Sequence, residues 1–355
     1  MPHAPDDILS RYPDFRGKPD EMAMLCTLLH EKGLHADAVA IGEAAVAAAP
    51  LDMAVRAEVG FALSTGVSKF HFPMLHDRAR NRAYARAIEK AVRPGMKVLE
   101  IGTGAGLLSL IAARAGAQVT TCEAHPTIAA AAVSIIERNG LADRIKVIAK
   151  RSDALRIPDD LPERADLVIH EIFGHQLFNE GVTAALTDAR TRLLKNDARS
   201  VPAGASVCFA LARIAGTTLE HDLSDVEGFD LSLFNLLVSP DRRRVARGRK
   251  ALERCSEPHL ALTMNYDSAP PFGPASETIA VKSSGGRVDG IVQWIHLDYG
   301  DGEILENSPF DDQSATSWGA PFLPLARPVE TQAGDIVAVT LRHRDVRLMI
   351  NAAKL

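Results

Sequence analysis

Residues 97–117 read KVLEIGTGAGLLSLIAARAGA, and the fold class turns on how this stretch is read. Val98, Leu99 and Ile101 form a short apolar run of strand character, and the residues from Leu107 onward follow helical spacing. Between them stand Gly102, Gly104 and Gly106, which permit positive φ and a close approach of backbone to ligand. Strand, glycine turn and helix in that order make a ligand-binding βα unit. Moving outward, "AQVTTCEA", "IKVIAKRSD" and "ADLVIHEI" are further short apolar runs rich in β-branched residues. Helical stretches follow, "PTIAAAAVSIIERNG" and then "VTAALTDARTRLL". The alternation predicts an α/β class chain with a doubly wound parallel sheet of Rossmann-like type. Ligands then belong beyond the C-terminal ends of its strands.

The glycine spacing selects the ligand. A nicotinamide dinucleotide site wants GxGxxG, and the last position of that pattern is Leu107 here. The GxGxG spacing fits instead a nucleoside carrying an amino-acid tail, namely S-adenosylmethionine. Glu123 ends the second strand, followed by Ala124, and a carboxylate there can accept bidentate hydrogen bonds from two ribose hydroxyls. At the next strand end, Ser152 and Asp153 fall beside an adenine.

The fourth strand leads into VIHEIFGHQLFNEGV, residues 168–182, with Glu171 and Glu180 nine positions apart across a Gly-containing loop. Two ionised carboxylates facing one spot need a cation between them, since like charges otherwise raise one pKa. A guanidinium suits them, being planar, forked and rich in paired N–H donors. Its nitrogens are poor nucleophiles, with a pKa above ~12. Carboxylates gripping the other nitrogens would hold the positive charge, orient the target nitrogen toward a methyl sulfonium and help take the released proton. Glu171 and Glu180 are therefore the expected catalytic pair.

The whole chain has 355 residues and a formal net charge of −5, which gives no reason to expect nucleic acid as a partner. No apolar run reaches the ~18 residues a membrane span needs, and no secretory signal opens the chain. Cys26, Cys122, Cys208 and Cys255 are scattered without a CxxC pair, so a cytoplasmic location is expected rather than a disulfide or zinc framework. His170, His175 and His296 lack metal-ligand spacing.

Three segments follow from these patterns. Residues 1–68 form an N-terminal helical segment, whose small or apolar residues Leu25, Gly33, Ala38 and Ala45 suggest a tetratricopeptide-like helix pair. One such pair cannot bury its own face and would need a neighbour. Residues 69–203 form the S-adenosylmethionine-binding domain. Residues 204–355 alternate apolar and polar between Gly and Pro turns and predict an antiparallel β-barrel-like domain, with a helical insertion at about 229–258. The run from Arg242 to Arg249 inside that insertion is expected to be a solvated helix face.

Over roughly residues 70–345 the chain resembles the protein arginine methyltransferase family. "VLEIGTGAGLLSLIAARAGA" is similar to that family's cofactor motif, "EIFGHQLFNE" to its double-glutamate loop and "MLHDRARNRAYARAI" to its cofactor-covering helix. "EGFDLSLFN" resembles the entry to its dimerisation arm, while "HEIFGHQLFNEG" and "QWIHLDYGDGE" resemble the monomethylating branch. The resemblance implies that Met74 borders the methyl group, Asp77 buttresses the active site and Arg80 pairs with the methionine carboxylate. It implies that Gly102 and Gly104 line the cofactor, Glu123 holds its ribose and a homodimer forms through the arm. Two departures touch the substrate pocket: Ser317 precedes Trp318 where the family has histidine, and "TGVSKFHF" replaces an aromatic segment. His175, in the clamp loop, is a further pocket candidate. The acceptor is arginine, with protein-bound arginine slightly ahead of free L-arginine or another small guanidine, and a non-catalytic scaffold as the lesser alternative.

Overall fold

Among the described residues the chain begins with four α-helices, α1 (Pro5–Arg11), α2 (Pro19–Glu31), α3 (His35–Ala48) and α4 (Met53–Leu63). The computed structural model describes residues 4–214, 223, 225–237, 244–245, 252–311 and 317–354, and the Arg242–Arg249 run falls almost wholly outside them. Two units are formed: Met1–Phe72, Ile88–Glu171 and Asp188–Val201 make the first, and Pro73–Ala87, Ile172–Thr187 and Pro202–Leu355 the second.

In the first unit, the N-terminal helices do more than a single pair would. α1 and α4 complete the layer, so that Ile8, Leu25, Cys26, Leu29, Ile41 and Val55 share one buried cluster. Each fully buried Leu or Ile contributes about 1.5–3 kcal/mol. Helices approach closely at Gly42, where a Cβ would stand 2.8 Å from Val59 Cγ1. The expected need for a neighbour is thus met largely inside the segment, and the remainder by α8 (Pro126–Arg138). There Thr127 Oγ1 lies 3.0 Å from His30 Nε2 and 3.1 Å from His35 Nδ1, while Arg138 pairs with Glu43.

This contact carries a pH dependence. Burial first, then the neighbouring imidazoles of His30 and His125, pushes His35 below its ordinary 6.5; burial likewise lowers His71, although Glu123 opposes it. Both bind protons less readily folded than unfolded, so stability present above about 6.5 is lost as pH falls through that range. Melting temperatures should drop between about pH 7.5 and about pH 5.5, and His35→Gln should shrink the drop. A midpoint constant across this range would contradict the assignment.

After α5 (His71–His76) and α6 (Arg78–Ala91) the chain enters the sheet. Its strands are β1 (Lys97–Ile101), β2 (Gln118–Cys122), β3 (Ile145–Ile148), β4 (Ala165–His170) and β5 (Leu194–Val201). All pair in parallel, in the order β3-β2-β1-β4-β5, with α7 (Leu107–Arg114) linking β1 to β2 and α8 linking β2 to β3. The register sets Ile101 beside both Cys122 and His170. Gly102, Glu123 and Glu171 therefore leave the sheet at one level, at the carboxyl edge where open α/β sheets bind ligands.

The second unit is antiparallel. After α9 (Val182–Arg192) come β6 (Gly204–Ile214), β7 (Arg244–Val245), β8 (Leu252–Arg254), β9 (His259–Asn265), β10 (Ser276–Lys282) and β11 (Gly286–Asp298). The chain ends with β12 (Ile304–Glu306), β13 (Ala320–Thr331), β14 (Ile336–Arg344) and β15 (Arg347–Lys354). One sheet runs β7-β13-β11-β6-β8, with β12 on β11 and β9 on β6; the other runs β10-β14-β15. Trp294, Val292 and Cys208 fill one face of the larger sheet together with Ala320 and Phe322. Of the insertion at 229–258, the described residues include a 3-10 turn at Ser232–Leu237 and the strands β7 and β8.

Candidate active site

The glycine turn after β1 is anchored from two sides. Gly102 and Gly104 take φ of 88° and 51°, and the backbone N–H groups of Gly102 and Thr103 both donate to the Cys122 carbonyl. Beneath them Glu100, 1% exposed, accepts from Thr121 Oγ1 at 3.0 Å and from Ser109 Oγ, and Thr121 also meets Thr103 at 2.6 Å. This buried carboxylate joins β1, β2 and α7 under the turn. It was legible only as one acid inside an apolar strand.

Glu123 is half-buried and held by both oxygens: Gly104 N donates to Oε2 at 3.0 Å and His125 N to Oε1 at 2.9 Å. A carboxylate offers about four acceptor sites, so two remain for vicinal hydroxyls. No heavy atom lies within 4 Å of where a Cβ on Gly104 would stand, leaving the face of the turn open. Carboxylate, open turn and the neighbouring strand end at Glu171 thus fit a ribose-bearing nucleoside. Ala124 is exposed beside it, and Ser152 begins a 3-10 turn at Ser152–Ala154. Asp153 is committed to a different partner: its exposed carboxylate sits 2.9 Å from Arg151 Nη2, and that hydrogen bond holds it below the usual carboxylate range. Cys122, at the end of β2, is no nucleophile near neutrality, since burial pushes its thiol up to about 12.

The second unit builds the loop that carries Glu180. Phe173 O accepts from Trp318 Nε1 at 3.0 Å, and His175 O accepts from Gln293 Nε2 at 3.3 Å. Phe178 stacks on His343 with ring centroids 4.4 Å apart and planes within 9°. Gly174 leaves room for the Asn179 amide: a Cβ at 174 would stand 1.9 Å from Asn179 Oδ1 and would require that side chain to move. Tight turns close the loop, with Leu177 at φ 67° and its N–H donating to the Gly174 carbonyl. Glu180 itself is exposed and Glu171 half-buried.

Asp77 caps α6, accepting from Arg80 N at 3.1 Å through Oδ1, while its Oδ2 accepts from Ser317 N at 2.8 Å. The helix start and the Ser317–Trp318 segment are thereby tied by one side chain that is 4% exposed. Arg80 is buried, its guanidinium 5.1 Å from the centroid of Tyr84 and its Nη1 donating to Asn81 Oδ1. Met74 lies half-buried in α5. The second unit therefore gathers Asp77, His175, Ser317 and Trp318 into one bonded set. Sequence reading missed its supports: Gln293, His343, and Asn307, which accepts from Ile295 N and donates to the Trp318 carbonyl. The first and last stand in or beside "QWIHLDYGDGE", where a buried amide has no motif of its own.

Comparisons with known proteins bear on the family and the fold. A family model, Ribosomal protein L11 methyltransferase (PrmA), matches residues 82–204. Solved structures share the fold at 20% identity. One is the Trypanosoma brucei PRMT1 enzyme–prozyme heterotetrameric complex with AdoHcy, with a TM-score of 0.69 over 82% of this chain and 99% of that one. Another is Arabidopsis thaliana protein arginine methyltransferase 10, with a TM-score of 0.65 over 82% and 95%. Protein arginine N-methyltransferase 7 of Oryza sativa subsp. indica is 39% identical over 167 residues, 44% of this chain but 23% of that protein. The Arginine N(omega)-methyltransferase of Streptomyces achromogenes subsp. streptozoticus is 33% identical over 293 residues, covering 80% of this chain and 79% of the relative. With a match that spans most of both chains, the protein described here belongs to the arginine N-methyltransferase family.

Proposed function

We propose that this chain transfers a methyl group from S-adenosylmethionine to a guanidino nitrogen of arginine, and that the acceptor is arginine as a free amino acid. One observation carries the choice of acceptor. The relative matched over 79% of its own length is named for arginine alone, whereas the rice protein named for protein arginine is matched over 23% of its length. The sequence alone put protein-bound arginine slightly ahead; the breadth of this match is our ground for placing free arginine first. Ser317 in place of the family's histidine and the loss of an aromatic segment fit a pocket shaped for a different acceptor.

When bound, S-adenosylmethionine supplies an electrophilic methyl on a sulfonium. Glu123 would hold its ribose, Gly102 and Gly104 give its tail access to the turn, and Arg80 would meet its carboxylate. Ala124, Ser152 and Asp153 are the adenine-side candidates. Asp153 joins them only if its pair with Arg151 opens. Glu171 and Glu180 hold the guanidinium, keep its charge on the nitrogens they grip and leave the third nitrogen aimed at the methyl. The proton lost on transfer goes to one of these carboxylates. With the nearby thiol of Cys122 protonated, direct displacement without a covalent intermediate is the route these residues support.

The same reading extends to assembly and place. Phe229, Leu231, Leu233, Phe234, Leu236 and Leu237 are all exposed in the arm, and we infer that a second copy covers them in a homodimer. Four free, buried cysteines suit a reducing cytoplasm, and among the described residues no helix is long and apolar enough to cross a membrane.

Incubation with methyl-labelled S-adenosylmethionine, offering free L-arginine or an Arg-Gly-rich peptide, tests the acceptor. Label should enter the free amino acid. Label entering the peptide alone would restore the protein acceptor, and label entering neither would remove the activity.

A further inference from the structure

We propose that Gln293 is a positioning residue for methyl transfer: it sets the backbone of the loop that carries Glu180. This rests on the guanidinium clamp proposed above.

The first argument is placement. On β11, Gln293 pairs opposite Phe209 of β6, so both point to one face of the sheet. Its buried neighbours on β11 and β6 are apolar, namely Ile291, Ile295, Leu297, Val207 and Leu211, each 2% exposed or less, while His259 of β9 stands opposite Phe209 on the same face. Gln293 itself is 0% exposed. An amide buried there with unfilled hydrogen bonds costs about 1–3 kcal/mol, whereas a methionine or leucine of similar volume would cost nothing of the kind. A sheet core gains nothing from glutamine at this point.

The second argument is what the amide holds. Nε2 donates to the carbonyl of His175, five residues before Glu180 in the loop. Only the NH2 end can face a carbonyl, so the orientation of the amide is determined. Its Oε1 is then the other prong, and it is buried with no hydrogen-bond partner among the described residues. Trp318 holds the loop at Phe173 and His343 holds it at Phe178, so Gln293 grips the stretch between two fixed points. The bond from Gln293 Nε2 to the His175 carbonyl is 3.3 Å long.

The experiment compares Gln293→Met and Gln293→Glu with the parent, and runs Glu180→Gln beside them. For Gln293→Met we expect an unchanged or higher melting temperature, unchanged S-adenosylmethionine affinity and a kcat for arginine lowered about 10–100-fold. For Gln293→Glu, the buried carboxyl must be protonated to donate to His175, so its activity relative to the parent should recover as pH falls. Full kcat and KM in Gln293→Met would overturn the proposal. So would a lowered melting temperature with proportionate loss of cofactor binding, since the amide would then be holding the sheet. If Glu180→Gln is inactive while Gln293→Met is not, this inference alone fails. If Glu180→Gln is fully active, the clamp itself fails.

Discussion

Glu180→Gln should lower kcat/KM for arginine about a thousandfold while leaving S-adenosylmethionine affinity within about threefold. The substitution keeps shape and removes charge. A charge-assisted hydrogen bond to the guanidinium is worth about 1.5–3 kcal/mol, or roughly 10- to 150-fold, and loss of a proton acceptor adds on the order of 100-fold or more. Stability should hardly move, because Glu180 is exposed and an isosteric surface change stays within about 0.5 kcal/mol. Single-turnover methyl transfer, set against cofactor titration, separates the two quantities. A variant that turns over like its parent would leave the double-glutamate loop without a chemical purpose.

Asp77→Ala should act on the fold instead. Its two oxygens cap α6 at Arg80 N and satisfy Ser317 N, so alanine removes both acceptors from a side chain that is 4% exposed. Loss of the cap costs about 1 kcal/mol and the stranded Ser317 N–H another 1–3. At roughly 2–4 °C per kcal/mol for a unit of this size, the melting temperature should fall about 5–15 °C. Activity should fall with it, because the same side chain fixes the segment whose Trp318 indole holds Phe173 in the clamp loop. Asp77→Asn keeps one acceptor and should lie between. Calorimetry showing a shift below about 2 °C would mean the two bonds contribute little.

The parallel sheet was legible because β1 to β4 are apolar runs with glycine or an acid at their ends. Alternation of apolar runs with helical stretches is a local signal, and it carried as far as "ADLVIHEI". β5 was not legible: LKNDARSV is mostly polar, and it becomes a strand only because β4 lies alongside to pair with it. The N-terminal helices showed their spacing but not their number, since α1 is short and broken by prolines. In the candidate site, Glu171 and Glu180 announced themselves through an unusual interval. Their supports did not. Gln293 is about 120 positions away and meets the loop only through a backbone carbonyl, which leaves no mark on the sequence around His175.

Gly174 and Asn179 fill a single space, the amide oxygen of one occupying what would be the methyl of the other. Anyone diversifying this segment to change what the enzyme accepts should therefore mutate the two as a couple. In a library that randomises position 174 while keeping asparagine at 179, every new side chain must displace the Asn179 amide, whereas trimming 179 to alanine first opens the room in which new side chains can be tried.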